Sequence, residues 1–452
     1  MPAQRPSHPR RPLKVISIAL ASAFAAAGSG IAHAQSLQEV YEAARAYDAT
    51  YLAARAQAET AQYRLGQAEA LNKPSVGLGA SGTLNRTDLP GSVPAPTTSD
   101  TLQAGLSGRM SVYNRANTAT IEQARRGLGV AEADLQSAEQ DLIVRTATAY
   151  FDVLAAQDNL TTLRASKAAI GEQLASAKRN FEVGTATITD AREAQARYDL
   201  ATAQDIGAEN DLRVKRVALD QLVGRVGVEP KPLALPVVLP VPLASEADTW
   251  VAYAERHPQI NKARLGLEVA QLETEKARAQ GGVTVDATGT LGAQRYHVGS
   301  GPAQSLPGTT QVATLGLQIN YPLYTGGLVQ NRVKETLALE EKARNDLDFV
   351  RRGITEGTRR IFYSVQSLQA QEKALEAAEA SSKLALESTQ LGYKVGVRVN
   401  LDVLNAQTLL YTTQRDLAKV RYDVLVGALR LRQAAGILDP GAINTVNQLL
   451  VR

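Results

Sequence analysis

Polar and apolar positions alternate with a period of two in four stretches of this chain. In 75–87, Val76, Leu78, Ala80 and Leu84 fall on one face and Gly77, Gly79, Ser81, Thr83 and Asn85 on the other. In 101–112, Leu102, Ala104, Leu106, Met110 and Val112 oppose Gln103, Ser107, Arg109 and Ser111. In 282–296, Val283, Val285, Ala287 and Leu291 oppose Thr284, Asp286, Thr288 and Thr290. In 309–323, Ala313, Leu315, Leu317, Ile319, Tyr321 and Leu323 oppose Thr314, Gln318 and Asn320. The pattern predicts four strands of about ten residues or slightly more, each apolar on one side and polar on the other. A soluble, half-buried sheet gives the same alternation. Four segments of matched length also suit a transmembrane barrel, apolar to lipid and polar to a lumen.

Elsewhere the period is helical. No Pro occurs between Tyr113 and Glu229, or between Leu323 and Asp439, and both runs are rich in good helix formers. Each is interrupted once, at Val183-Gly184 and at Val395-Gly396. This predicts long helices over 114–183 and 326–395, followed by shorter helices over 189–224 and 401–436. The first long helix would run about 105 Å at 1.5 Å per residue. Helices of that length need an equally long packing partner. Ala377, Leu384 and Leu391 recur every seven residues with Ser381 and Ser388 between them, a coiled-coil-like seam of small and apolar positions. Further single helices are expected over about 38–72 and 247–280.

The order of elements occurs twice. "VGTATITDAREAQ" (183–195) is matched by "VGVRVNLDVLNAQ" (395–407), and "AYFDV" (149–153) faces "IFYSV" (361–365) at the same spacing of 212. The chain is two copies of one unit, 35–227 and 247–437, with a 438–452 tail. Five Pro in "VEPKPLALPVVLPVP" make the 228–246 joint an extended, semi-rigid strap.

The first 34 residues have the form of a secretory signal peptide: Arg5, Arg10, Arg11 and Lys14, then "VISIALASAFAAA", then "AHA" before Gln35. This leader holds four of the 49 Lys and Arg and none of the 45 Asp and Glu, so the mature chain is formally neutral. That balance leaves no electrostatic footprint for nucleic acid. There is no Cys, hence no disulfide, no thiolate chemistry and no lipid attached at an N-terminal cysteine. Only His257 and His297 remain after the leader, too few for a His-based metal cage or catalytic triad. No retained stretch has eighteen consecutive apolar residues, so an exported chain of this kind is soluble or a β-barrel. Four strands cannot close a membrane-spanning barrel, and an open sheet edge is forbidden in lipid, so a barrel must be shared between chains. Two chains give eight strands and three give twelve; periodicity alone does not choose.

The duplication, the paired strands, "YPLYTGG" (321–327) and above all "GYKVGVRVNLDVLNAQTLLYTTQRDLAKVRYD" (392–423) resemble the TolC family of outer-membrane efflux and type I secretion channel proteins, over about 36–437. The resemblance implies a mixed α+β membrane protein. It would be a homotrimer with one twelve-stranded outer-membrane β-barrel, four strands per chain, continuous with a long periplasmic α-helical coiled-coil barrel. It implies no cofactor and no catalysis. The partners would be a periplasmic adaptor (membrane fusion) protein, an inner-membrane ABC or other export transporter, and outer-membrane lipid. The Val-Gly segments become tip turns at Gly184 and Gly396. Thr189, Asp190, Tyr393 and Arg398 match residues that latch neighbouring hairpins shut. Asp402 matches one acidic ring of the constriction, while Asn405 stands where a second Asp is expected, which implies weaker cation selection. The tip wording is closer to the type I secretion branch and the lack of a lipid-anchor Cys agrees, with a drug or small-molecule efflux duct of the same family as the alternative.

The tip residues also admit a plain structural role, with Asn400 capping the last helix, Asp402 in its first turn, and Thr189 and Asp190 acting likewise. Trp250 and His257-Pro258 read as packing and a helix start. Two other function classes stand beside the duct: a non-conducting periplasmic coiled-coil scaffold, and an envelope hydrolase, which lacks a nucleophile–His arrangement.

Overall fold

The computed structural model describes residues 34–87, 97–234, 246–298 and 308–451. The predicted leader, most of the Pro-rich strap and the strand-connecting loops at 88–96 and 299–307 lie outside the described residues. The order is α1 (Leu37–Tyr47), α2 (Ala49–Glu69), β1 (Ser75–Thr87), β2 (Thr97–Tyr113), α3 (Arg115–Glu182) and α4 (Ile188–Val223). It then repeats as α5 (Ala247–Ala254), α6 (Pro258–Ala279), β3 (Thr284–Val298), β4 (Gly308–Asn320), α7 (Leu328–Lys394) and α8 (Asn400–Ala434), with a short α9 (Gly441–Asn447) added at the end.

The strands form one antiparallel sheet, β1-β2-β3-β4, whose outer edges, β1 and β4, are unpaired within the chain. The register joins like to like. Leu78 pairs with Leu106, Leu106 with Leu291 and Leu291 with Ala313, while Ser107 pairs with Thr290 and Thr290 with Thr314. All four apolar sides therefore share one face. That face is open: Leu315 is 95% exposed, and Val76, Leu78 and Leu317 are also exposed. The polar face carries one ion pair, Arg109 to Asp286 at 2.7 Å, and a Thr290–Thr314 hydroxyl contact. A bulge between Ser111 and Tyr113 shifts the register where β2 ends, so Tyr113 rather than Val112 faces Val285. β2 begins four residues before the expected start and β4 stops at Asn320, leaving Tyr321–Leu323 outside the sheet.

α3 leaves the sheet, turns at Gly184 and returns as α4; α7 and α8 repeat the path around Gly396. At about 1.5 Å per residue the 68 residues of α3 and 67 of α7 are each roughly 100 Å long. α2 and α6 pack beside the sheet-proximal half of α3, and α4 and α8 beside the distal half. The largest core lies between these halves. It gathers Leu37, Val40 and Tyr41 of α1, Leu142–Leu160 of α3, Leu219 of α4, Leu425 and Leu429 of α8 and Ile443 of α9. Phe151 there meets Tyr150 edge-on at 5.4 Å and stacks on Tyr422 at 5.7 Å. The Tyr150 hydroxyl lies 3.0 Å from the carbonyl oxygens of both Gln35 and Lys231.

Two expectations are corrected here. The 38–72 and 247–280 helices are each broken in two. Asp48 ends α1 and caps α2, its carboxylate accepting from the Tyr51 N–H at 2.8 Å. His257 starts α6 by accepting from the Gln259 N–H at its Nδ1, with Pro258 at the first helical position. The 438–452 segment is not a loose tail: α9 buries Ala442, Ile443 and Val446, and Leu450 bridges to Leu233 of the strap. The α7 seam, by contrast, is not contradicted: it has no partner within the chain and stands free for one outside it. Leu384 and Leu391 are 65% and 63% exposed, and Ala377, Ser381 and Ser388 are exposed as well. α7 accordingly buries few side chains along its length. The chain exposes 28998 Å², against about 16,500 Å² for a compact monomer of its mass.

Asp48 supplies a pH prediction. Arg145 holds it bidentately at 2.9 and 3.0 Å. That bond, reinforced by the Tyr51 N–H, depresses the carboxyl below its usual value despite partial burial. A depressed carboxyl contributes stability above its unfolded value near about 3.9 and loses it as pH falls through the folded value. The melting midpoint of Asp48→Asn is therefore expected to lie below wild type at neutral pH, and the gap to close below about pH 4. Thermal melts followed by circular dichroism across that range check it; a gap independent of pH would contradict it.

Candidate functional site at the paired helix tips

The two hairpins end in turns of one design. Gly184 and Gly396 have φ of +79° and +82°, the left-handed region that closes a helix C-terminus and that Gly adopts without strain. After Gly184, the Thr185 N–H donates to the Asn180 carbonyl at 2.8 Å; after Gly396, the Val397 N–H donates to the Gly392 carbonyl at 2.9 Å. The same carbonyl of Gly392 receives the Arg398 N–H at 3.2 Å, and a Cβ at Gly392 would come within 2.8 Å of Arg398 Cγ. The bare Gly392 thus leaves a bed for the Arg398 stem, which fixes where its guanidinium emerges.

The helix starts differ. In the first hairpin Thr187 is the cap, not Thr189. Its hydroxyl accepts from the Asp190 N–H at 3.3 Å, while Asp190 Oδ2 accepts from the Thr187 N–H at 3.0 Å and from its hydroxyl at 2.8 Å, a closed capping box. Thr189 is exposed on the first turn of α4. In the second hairpin the expectation that Asn400 caps α8 is wrong: Val399 holds the cap position and Asn400 is the first helical residue, 4% exposed. Its Oδ1 accepts from Gln173 of α3, and its buried Nδ2 has no partner. Arg398 reaches Asp402 one turn on at 3.6 Å, the arginine exposed and the carboxylate half-buried.

Among the expected residues only Arg398 and Asp402 pair, one turn apart in the same hairpin, and no two of them link one hairpin to the other. Three other pairs tie the hairpins: Asn180 donates to the Tyr393 hydroxyl at 3.2 Å, Arg197 to Asn405 Oδ1 at 2.9 Å, and Gln173 to Asn400. Tyr393, expected as a latch, and Asn405, expected at the constriction, are thus engaged inside the protomer, by Asn180 and Arg197, which the sequence did not single out, and neither did it single out Gln173. Asn180 left one faint signal, a poor helix former in the last turn of α3. Arg197 and Gln173 left none. Behind these links a small core of Ile170, Leu174, Ala177, Ala194 and Leu404 holds the hairpins together. The site consists of exposed and half-buried polar groups at the closed ends of two hairpins. Among the described residues no group of three or more His, Cys, Asp or Glu could hold a metal ion.

Comparison with known proteins decides the family. The family model described as "Outer membrane efflux protein" matches residues 40–225 and 252–437, which is one match per repeat. The chain belongs to this family. Outer membrane protein TolC of Vibrio cholerae serotype O1 is 30% identical over 442 residues, covering 96% of this chain and 98% of that one. Alkaline protease secretion protein AprF of Pseudomonas aeruginosa is 32% identical over 333 residues, 70% of this chain and 67% of that one. Among solved structures, the outer membrane protein VceC of Vibrio cholerae superposes with a TM-score of 0.76 at 22% identity, covering 88% of this chain and 96% of that one. The outer-membrane channel OprN superposes at 0.77, with 19% identity and 88% and 89% coverage. The fold is that of a TolC-like channel with a four-stranded sheet per chain and an internal duplication. The family places the protein in the outer membrane.

Proposed function

We propose that this protein is the outer-membrane exit duct of a tripartite export system, and that its cargo is protein leaving by type I secretion. The observation that carries the duct reading is the unpaired sheet: two free edges, one apolar face and one polar face, on a protomer that cannot close alone. Three copies close a twelve-stranded barrel with the polar face inward, and the exposed α7 seam packs on neighbouring helices to continue the tunnel through the periplasm. The energy comes from an inner-membrane ABC or other transporter, linked by a periplasmic adaptor; the duct itself binds no cofactor and catalyses nothing.

In this reading the tips form the gate. Arg398, emerging from its bed on Gly392, and the exposed Thr189 and half-buried Asp190 of the neighbouring hairpin form links between protomers. Tyr393 and Asn405 hold the two hairpins of one protomer together. Asp402 lines the constriction, and Asn405, uncharged and occupied by Arg197, adds no second acidic ring. Links of this kind in water are worth about 1 kcal/mol or less each, weak enough for an adaptor to break.

The protein-cargo reading is supported by relatives named for protease secretion, AprF and PrtF of Dickeya chrysanthemi, the latter 29% identical. A relative named outer membrane efflux protein, BepC of Brucella suis, is 26% identical and favours small-molecule cargo as the second reading. The test is complementation of a bacterium lacking its own outer-membrane channel but carrying a protease-type ABC transporter and adaptor. We expect cargo in the medium to rise at least about tenfold over the empty strain. Restored drug resistance without secreted cargo would favour efflux; neither, with trimers present in the outer membrane, would overturn the duct.

A further inference from the structure

On the outward face of the sheet every strand turns from apolar to polar at the same end, at positions that slope across the ladder. The last apolar and first polar residues are Leu84 and Arg86 on β1, Leu102 and Asp100 on β2, Ala293 and Arg295 on β3, and Ala313 and Gln311 on β4. The register places Asp100 level with Leu84, Arg295 level with Leu102, and Gln311 level with Ala293. The boundary thus drops by one two-residue step, about 6.6 Å, for each strand crossed. Strands tilted against a flat membrane surface require such a diagonal. The line Arg86–Asp100–Arg295–Gln311 is therefore the level at which the outer rim of the barrel leaves the hydrocarbon.

Arg86 and Arg295 are the two arginines on the outward face of the described sheet, which also carries His297 opposite Asp100; Arg109, the third sheet arginine, points to the polar side. Both are exposed, and neither forms an ion pair or side-chain hydrogen bond with another described residue, Asp100 included. An outward arginine is costly in mid-bilayer and nearly free at the interface, where its stem lies on apolar surface and its head reaches the headgroups. Its planar fork matches phosphate oxygens bidentately.

We propose that Arg86 and Arg295, which stand two strands apart on this line with Asp100 between them, each meet a phosphate of anionic outer-leaflet lipid. The inference rests on the barrel reading, with the apolar face turned to lipid. It commits to a lipid headgroup rather than to free phosphate.

The test uses the full-length trimer, purified in detergent and equilibrated with phosphatidylcholine bicelles containing diphosphoryl lipid A or its dephosphorylated form. The lipid retained after re-purification is counted by native mass spectrometry. Wild type is expected to retain at least about fivefold more of the phosphorylated lipid. That preference falls to near unity in Arg86→Gln/Arg295→Gln and returns in part in Arg86→Lys/Arg295→Lys, which keeps the charge without the fork. Equal retention by wild type, or an unchanged preference in the Gln variant, overturns the proposal. Loss of the preference in millimolar inorganic phosphate overturns the lipid source. A nitroxide at Leu315→Cys separates this from the barrel reading, since the chain has no Cys and labelling is specific. If oxygen in the lipid phase broadens its signal more than a water-soluble nickel complex does, the barrel reading stands independently. The reverse order sinks both.

Discussion

Leu315→Arg combined with Leu317→Arg is expected to yield an exported chain that fails to enter the outer membrane. Both leucines stand on the outward face of β4, two steps or fewer from its middle, and are 95% and 72% exposed in the protomer. A guanidinium near the bilayer midplane of a barrel costs about 2–4 kcal/mol. Two per protomer, repeated around a trimer, come to roughly 10 kcal/mol or more. No rotamer of either side chain reaches the polar face, because alternation fixes it outward. Thr314→Arg, one residue away on the polar face, is expected to insert normally. Membrane fractionation and heat-dependent gel mobility distinguish the variants. Normal insertion of the double variant would mean that this face does not meet lipid.

The second large effect concerns assembly. Leu384→Asp with Leu391→Asp puts charge into the seam of α7, where the protomer supplies no partner. Burying a leucine is worth about 1.5–3 kcal/mol, and the variant both loses that and buries two carboxylates per interface. We expect trimers to give way to monomers in detergent light scattering, with helical content by circular dichroism unchanged. The unchanged helicity follows from the seam's exposure, since nothing in the protomer's own core touches it. A variant that stays trimeric would show that these helices face solvent in the assembly.

The architecture was largely legible because its two periods are unmixed. Strict alternation marked the strands, and long Pro-free runs bounded by Val-Gly pairs placed the ends of α3 and α7 within two residues. What escaped the sequence depends on contacts distant in the chain. Asp48 breaks a continuous helical pattern because Arg145, 97 positions on, anchors it. α9 is too short to show a period, and only its burial against α1 and the strap makes it structure. At the tips, residue types were legible and pairings were not. Nothing local says that Arg197 finds Asn405, or that Asn400 turns inward to Gln173 instead of capping its helix. The α7 seam was legible as a seam, yet its partner lies outside the protomer, so neither sequence nor single chain displays the packed state.

The central claim is that three protomers enclose one water-filled passage held shut at its tip. Single-channel conductance of purified trimers in planar bilayers, for wild type and for Arg398→Ser, tests it most directly. The account predicts a small wild-type conductance that rises several-fold in the variant. Removing Arg398 costs the protomer an exposed contact to Asp402 at 3.6 Å, while the proposed gate would lose links between protomers worth about 1 kcal/mol each. Folded trimers of both forms that pass no current would contradict the account and leave a non-conducting periplasmic scaffold in its place.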